Sequence, residues 1–205
     1  RISPLLTDYG NDIRLNEALF KRIKTVYDQR ETLSLTAEQQ TLLEKTYKSF
    51  TRNGANLSLN DKACLREIDK QLAILKLKFS ENALAETQHY QWVITDKNTL
   101  SGLPDFVLEM LAQEAKKRNV QGWVITLDLP VYTAVMNYAD NRDLRQKLFT
   151  DYHSRCAGES AYNNEDNVLR IAQLRQARAS LLGYPNYATF ALEERMAETP
   201  EKVIA

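Results

Sequence analysis

The residues best suited to chemistry in this chain are His89 and His153, Cys64 and Cys156, and the arginines Arg142, Arg145, Arg175 and Arg178. A zinc-hydrolase helix needs His-Glu-x-x-His, because histidines four positions apart share a helix face and the glutamate between them activates a zinc-bound water. Here Tyr90 follows His89 and Ser154 follows His153, and the two histidines are 64 positions apart. A zinc site built on them would need long-range assembly without motif spacing. The cysteines form no Cys-x-x-Cys, which excludes a thiol redox motif and a zinc ribbon. Two free thiols, or one disulfide, are what the spacing leaves. His153 has two candidate partners. Asp151, two positions away, diverges on a helix, whereas Cys156, three positions on, shares the face. A Cys-His dyad is therefore geometrically open, but no orienting group or oxyanion donor accompanies it. The better reading is a partly exposed helix histidine.

Arg142 with Arg145, and Arg175 with Arg178, share faces at three-residue spacing and can grip a carboxylate bidentately or form inter-helix ion pairs. The adjacent Glu193 and Glu194 diverge on a helix and make no acid/base pair. No Gly-x-Ser-x-Gly, P-loop or Gly-x-Gly-x-x-Gly is present. No position is assigned as catalytic, cofactor-binding or metal-binding.

The elements that position these groups read as mainly α. From Leu15, the residues Leu15, Leu19, Ile23, Val26 and Tyr27 recur at helical steps. Thr36 and Gln39 make a capping box for a helix that ends at Asn53-Gly54. A long helix from about Ser58 carries Leu65, Ile68, Leu72, Leu75 and Phe79 as a heptad-like seam and fades near Glu86. Alternating large residues mark strands at about 90–95 and 122–127, separated by a helix from about Pro104 to Asn119. These give a multi-helix body with a small two- or three-stranded β element. The stretch YADNRDLRQKLFTDYHSR, 138–155, reads as a helix capped by Asp140 or Asn141, with Leu144, Leu148, Phe149 and Tyr152 facing inward. A further helix starts at Asn163-Asn164-Glu165-Asp166 and ends at Gly183. Pro185 opens the next, and Thr199-Pro200 the last. No helical-repeat period emerges, and residues 1–205 read as one continuous helical segment.

Composition narrows the function classes. The 27 basic and 27 acidic residues cancel, which argues against nucleic acid as a partner. The run Lys116-Lys117-Arg118 is too short to change that. No apolar run approaches the ~18 residues of a membrane span, and no signal peptide is visible, so no membrane partner is expected. A cytoplasmic location is the expectation, with the periplasm as the alternative. The chain starts at Arg1 and stops just inside a helix, which reads as a piece of a longer product.

Several runs together resemble the thimet oligopeptidase family of zinc metallopeptidases. They include Ile2-Ser3-Pro4-Leu5-Leu6, 19–24 with Val26-Tyr27, Leu103-Pro104, 122–127, Pro130-Val131-Tyr132, 136–139, Asn141-Arg142-Asp143-Leu144-Arg145, Leu181-Leu182-Gly183-Tyr184-Pro185-Asn186-Tyr187-Ala188 and Met196-Ala197. Within that family the likeness is greatest to the bacterial peptidyl-dipeptidases, also called dipeptidyl carboxypeptidases. The runs keep the family's order over nearly the whole chain.

The resemblance implies a two-lobed enzyme with zinc at the floor of a narrow channel, removing dipeptides from the C-termini of short peptides. It also implies that the zinc motif, the third ligand and the transition-state Tyr and His lie beyond Ala205. This segment would then be an incomplete lobe. It would shape the channel, bind no zinc and be inactive alone, with the remainder of the polypeptide as its docking lobe. Stretch 138–155 would be architecture. The competing reading is a non-catalytic helical protein that binds peptides or a partner.

Overall fold

The computed structural model describes residues 2–205. Its described residues form ten α-helices and one two-stranded sheet, the mainly α architecture expected. The chain divides into two compact units. One comprises residues up to Leu77 together with Leu169–Ala205, the other Lys78–Val168.

In the first unit, α1 (Ser3–Arg14) precedes α2 (Glu17–Asp28) and α3 (Ala37–Arg52). Asn16 caps α2 by accepting from the Leu19 N–H at 2.9 Å. Both arms of the capping box form at α3: Gln39 N–H donates to Thr36 Oγ1 and Thr36 N–H to Gln39 Oε1. These bonds satisfy amide donors that the first helical turn leaves free. Between α2 and α3, Phe20, Phe50 and Ala55 are buried with Ile23 and Tyr47 against them. The Tyr27 and Tyr47 rings stack at 3.8 Å. The buried face of α2 runs through Phe20, not through Leu19 and Val26, which stay exposed.

The long helix α4 (Leu59–His89) outruns its expected end. Its seam finds a partner in α8 (Glu165–Leu181): Leu72 packs with Ile171 and Leu174, flanked by Ile68 and Leu75. Phe79 departs from the seam and is 41% exposed. Asn186, not Pro185, caps α9 (Tyr187–Leu192), accepting from the Thr189 N–H at 2.8 Å. Thr199 caps α10 (Pro200–Ile204) as expected.

In the second unit, β1 (Trp92–Ile94) and β2 (Trp123–Ile125) pair antiparallel, with Val93 opposite Val124. They are shorter than the segments the alternation marks. Helix α5 (Asp105–Lys117), α6 (Leu129–Tyr138) and α7 (Arg142–His153) complete one core. It buries Ile94, Leu100, Val107, Leu111, Ile125, Val135, Leu144 and Leu148. Leu144 and Leu148 are therefore inward as expected, whereas Phe149 is 48% exposed.

Two glycines set this unit's geometry. Gly102 has φ +85°, and a Cβ there would lie 2.3 Å from the Tyr138 carbonyl oxygen. Gly122 has φ +97°, and its Cβ would lie 2.2 Å from the Ile94 carbonyl oxygen. Backbone cannot yield as a flexible side chain does, and the left-handed conformation disfavours any side chain. Gly122→Ala should therefore destabilise this unit by about 2 kcal/mol or more, read as an earlier loss of Trp92 and Trp123 fluorescence in urea.

Candidate functional site

The segment before α7 is held by backbone and side chain together. Asp140 N–H donates to the Ser101 carbonyl at 2.8 Å, and Ser101 Oγ donates to Asp140 Oδ2 at 2.9 Å. Asn141 caps the helix, accepting from the Asp143 and Leu144 N–H groups. Arg145 turns back onto the chain and donates to the carbonyls of Ala139 and Asp140. Both bonds come from Nη1. Arg142 remains exposed beside an open groove of about 310 Å³, lined by Met136, Arg142, Arg145, Gln146 and Phe149. The two arginines share a face, as their spacing requires, and both line the groove, Arg145 being tied to the backbone through Nη1.

Both histidines end helices in the same way. His89 Nδ1 donates to the Ala85 carbonyl at 2.7 Å, and His153 Nδ1 to the Phe149 carbonyl at 2.8 Å. A carbonyl only accepts, so the proton sits on Nδ1 in each. Both rings occupy the negative end of a helix dipole, a favourable place for a residue that can carry positive charge. Each also lies against aromatics: His89 against Tyr162, His153 against Phe149 at 4.1 Å.

The Cys-His dyad meets a different geometry from the one its spacing suggests. Helix α7 stops at His153, so Cys156 lies past the helix end and the three-residue facing rule no longer applies. Cys156 has φ +59° and is buried. Its N–H donates to Glu86 Oε2 at 2.5 Å, and Ser160 Oγ donates to the same oxygen at 2.9 Å. Burial first, then the Glu86 carboxylate, pushes the Cys156 thiol up to about 11. A thiol held protonated is a poor nucleophile. Cys64 is free and exposed. Iodoacetamide at pH 8 should therefore label Cys64 first and Cys156 at least about a hundredfold more slowly, measured by timed mass spectrometry of the peptides.

A polar network that the sequence reading missed ties α7 to the first strand. Tyr90 donates to Asp151 Oδ2 at 2.5 Å, and Lys147 Nζ reaches the same oxygen at 2.6 Å. Lys147 also sits over the Trp92 ring. Burial, then the Asp151 hydrogen bond, raises the Tyr90 hydroxyl far above its usual range. Of these contacts only the one between Lys147 and Asp151 follows a local spacing rule, at four residues. The basic run near α5 is neutralised in part: Arg118 Nε bonds Glu114 at 2.8 Å, and Lys117 pairs with the same carboxylate.

In the first unit, Arg178 and Arg175 part company. Arg178 Nε donates to Asp69 Oδ1 at 2.7 Å and Nη2 to Asn53 Oδ1 at 3.1 Å. Arg175 lies over the Tyr187 ring, with Cζ 5.1 Å from its centre. Glu193 pairs with Arg52 and accepts from the Tyr184 hydroxyl at 2.6 Å, while Glu194 pairs with Lys48 at 2.5 Å. The two adjacent glutamates thus serve ion pairs.

Among the described residues no group of three or more His, Cys, Asp or Glu is placed to hold a metal ion. The Nδ1 bonds leave Nε2 of each histidine unengaged. No helix among the described residues is long and apolar enough to cross a membrane.

Residues 135–205 match the model of peptidase family M3. Over 98% of its length the chain is 29% identical to oligopeptidase A of Escherichia coli (strain K12). It is 30% identical to the dipeptidyl carboxypeptidase of the same strain over 100% of its length. It is 34% identical to the probable cytosolic oligopeptidase A of Arabidopsis thaliana over 93%. The chain spans about 30% of the length of the two bacterial relatives and 28% of the plant one. The chain is thus similar along nearly its whole length to an oligopeptidase A and a dipeptidyl carboxypeptidase, and the family model matches its last third.

Proposed function

We propose that this chain is a channel-shaping segment of a zinc-dependent peptidase that removes dipeptides from the C-termini of short peptides. The observation that carries the reading is the similarity to oligopeptidase A and dipeptidyl carboxypeptidase along 98–100% of the chain. The side chains here support a scaffold role. Arg145, Arg178, Asp151, Glu86 and Glu193 are all engaged in holding elements together. In this reading the chain supplies no zinc ligand and no catalytic residue, and the metal and the groups around it belong to the remainder of the polypeptide.

An open apolar groove of about 460 Å³ between α2 and α3 supports an incomplete lobe. Ile23, Val26, Leu35, Leu42 and Leu43 line it, and Leu42 is 68% exposed. Exposed apolar surface of this kind favours burial against another protein surface. We assign it to the remainder of the same polypeptide. The cytoplasm is the compartment we assign, in line with the name of one Arabidopsis relative. A second, at the same 34% identity, is named organellar.

Two assays test the reading. The 205-residue chain, incubated with zinc and dialysed, should retain far less than one equivalent by atomic emission. Tight stoichiometric zinc would overturn the scaffold assignment. The product of the whole source gene should release C-terminal dipeptides from short peptides in a chelator-sensitive way, and amidated peptides should resist. Failure of that product to cleave any short peptide would overturn the peptidase assignment.

A further inference from the structure

The arginines around α8 and α9 are unequally compensated. Arg52 has Glu193, and Arg178 has Asp69 in a pair whose side chains are only 13% and 14% exposed. Among the described residues the Arg175 side chain has no ion pair or hydrogen bond, and its Nε is buried without a partner. A buried guanidinium nitrogen without an acceptor is costly, and native structures rarely leave one so. The nearby acids are already committed: Asp69 to Arg178, Glu193 to Arg52, Glu194 to Lys48.

We propose that Arg175 is a carboxylate-binding site, with the Tyr187 ring as the platform that fixes its guanidinium plane. The ring contact engages the face of the guanidinium, and among the described residues no acceptor meets its Nε. A carboxylate matches a guanidinium edge with two parallel hydrogen bonds, and such charge-assisted pairs are among the stronger ones. The local field favours an anion as well. Lys76 on α4 is held below the usual lysine range, first by burial and then by Arg175 and Arg178. The site concerns Arg175 alone and stands whether or not the parent is a peptidase.

The carboxylate can come from an acidic side chain or from a peptide C-terminus, and one titration separates them. The 15N-labelled chain is followed through its arginine Nε–Hε signals while sodium acetate is added, with sodium chloride at equal ionic strength as the control. The Arg175 signal should shift saturably with acetate, with the Arg52 and Arg178 signals moving little. R175Q should abolish the acetate response of the Tyr187 ring signals, a loss of at least about tenfold in affinity. R175K should fall between. If R175Q does not fold by circular dichroism, the unaltered chain and R175K decide. Three tripeptides then name the source: one with a free C-terminus and no acid, its amide, and an amide containing aspartate. Binding of the free acid alone identifies a peptide terminus, and binding of the aspartate amide identifies an acidic side chain. An Arg175 signal that drifts identically in chloride, or equal binding of the acid-free amide, overturns the proposal.

Discussion

Leu111→Ala is expected to cost the second unit about 3–4 kcal/mol. Leu111 is completely buried at the centre of the cluster formed by α5, the strands, α6 and α7. Truncation removes the transfer energy of its methyl and methylene groups. It also leaves a cavity, because Val107, Ile125, Val135 and Leu148 around it are fully buried too and cannot collapse freely. Both tryptophans, Trp92 and Trp123, pack against this cluster. Their fluorescence therefore reports the loss directly, as a lower urea midpoint with an unchanged slope. Leu84→Ala, at a 58% exposed position of the same unit, provides the control and should stay within about 0.5 kcal/mol.

Asp69→Asn should be nearly as damaging, at about 3 kcal/mol, and in the other unit. The substitution leaves the Arg178 guanidinium with Asn53 and the Phe190 ring but no charge partner. Breaking one side of a largely buried pair strands the other charge. Removing both charges is a different matter. Asp69→Asn combined with Arg178→Met should recover most of the loss, since an apolar replacement strands no charge. The tryptophans lie outside this unit, so the readout is far-ultraviolet circular dichroism during thermal unfolding. Additive losses in the double variant would mean that the two side chains do not act as a pair.

The elements governed by local chemistry were legible in the sequence. Thr36 and Gln39 announced a capping box because both bonds lie within three residues, and both are present. The two strands were visible as alternation, and their pairing was not, because the register of Trp92 with Ile125 is a long-range fact. The seam on α4 held from Leu65 to Leu75. It failed at Phe79, whose backbone carbonyl instead accepts from Asn164 Nδ2 at 3.0 Å. On α2 the same helical period fitted two neighbouring faces, and packing against Phe50 chose the one with Phe20.

The candidate site was legible in its residue types more than in its pairings. Arg178 with Asp69 and Tyr90 with Asp151 join positions far apart in the chain, and no spacing rule reaches them. The helix end at His153 undid the dyad, because the facing rule assumes that the helix continues. Conversely, the arginine pairs were visible from the start. Only the structure separates Arg142, which faces solvent, from Arg145, which bonds the Ala139 and Asp140 carbonyls.

The central claim is that this chain is a scaffold segment of a zinc peptidase whose catalytic groups lie elsewhere in the same polypeptide. Reading the source gene past the codon for Ala205 tests it most directly. The expected result is an open frame that continues and encodes His-Glu-x-x-His. A stop codon immediately after Ala205 would contradict it and make a peptide- or partner-binding role the leading explanation.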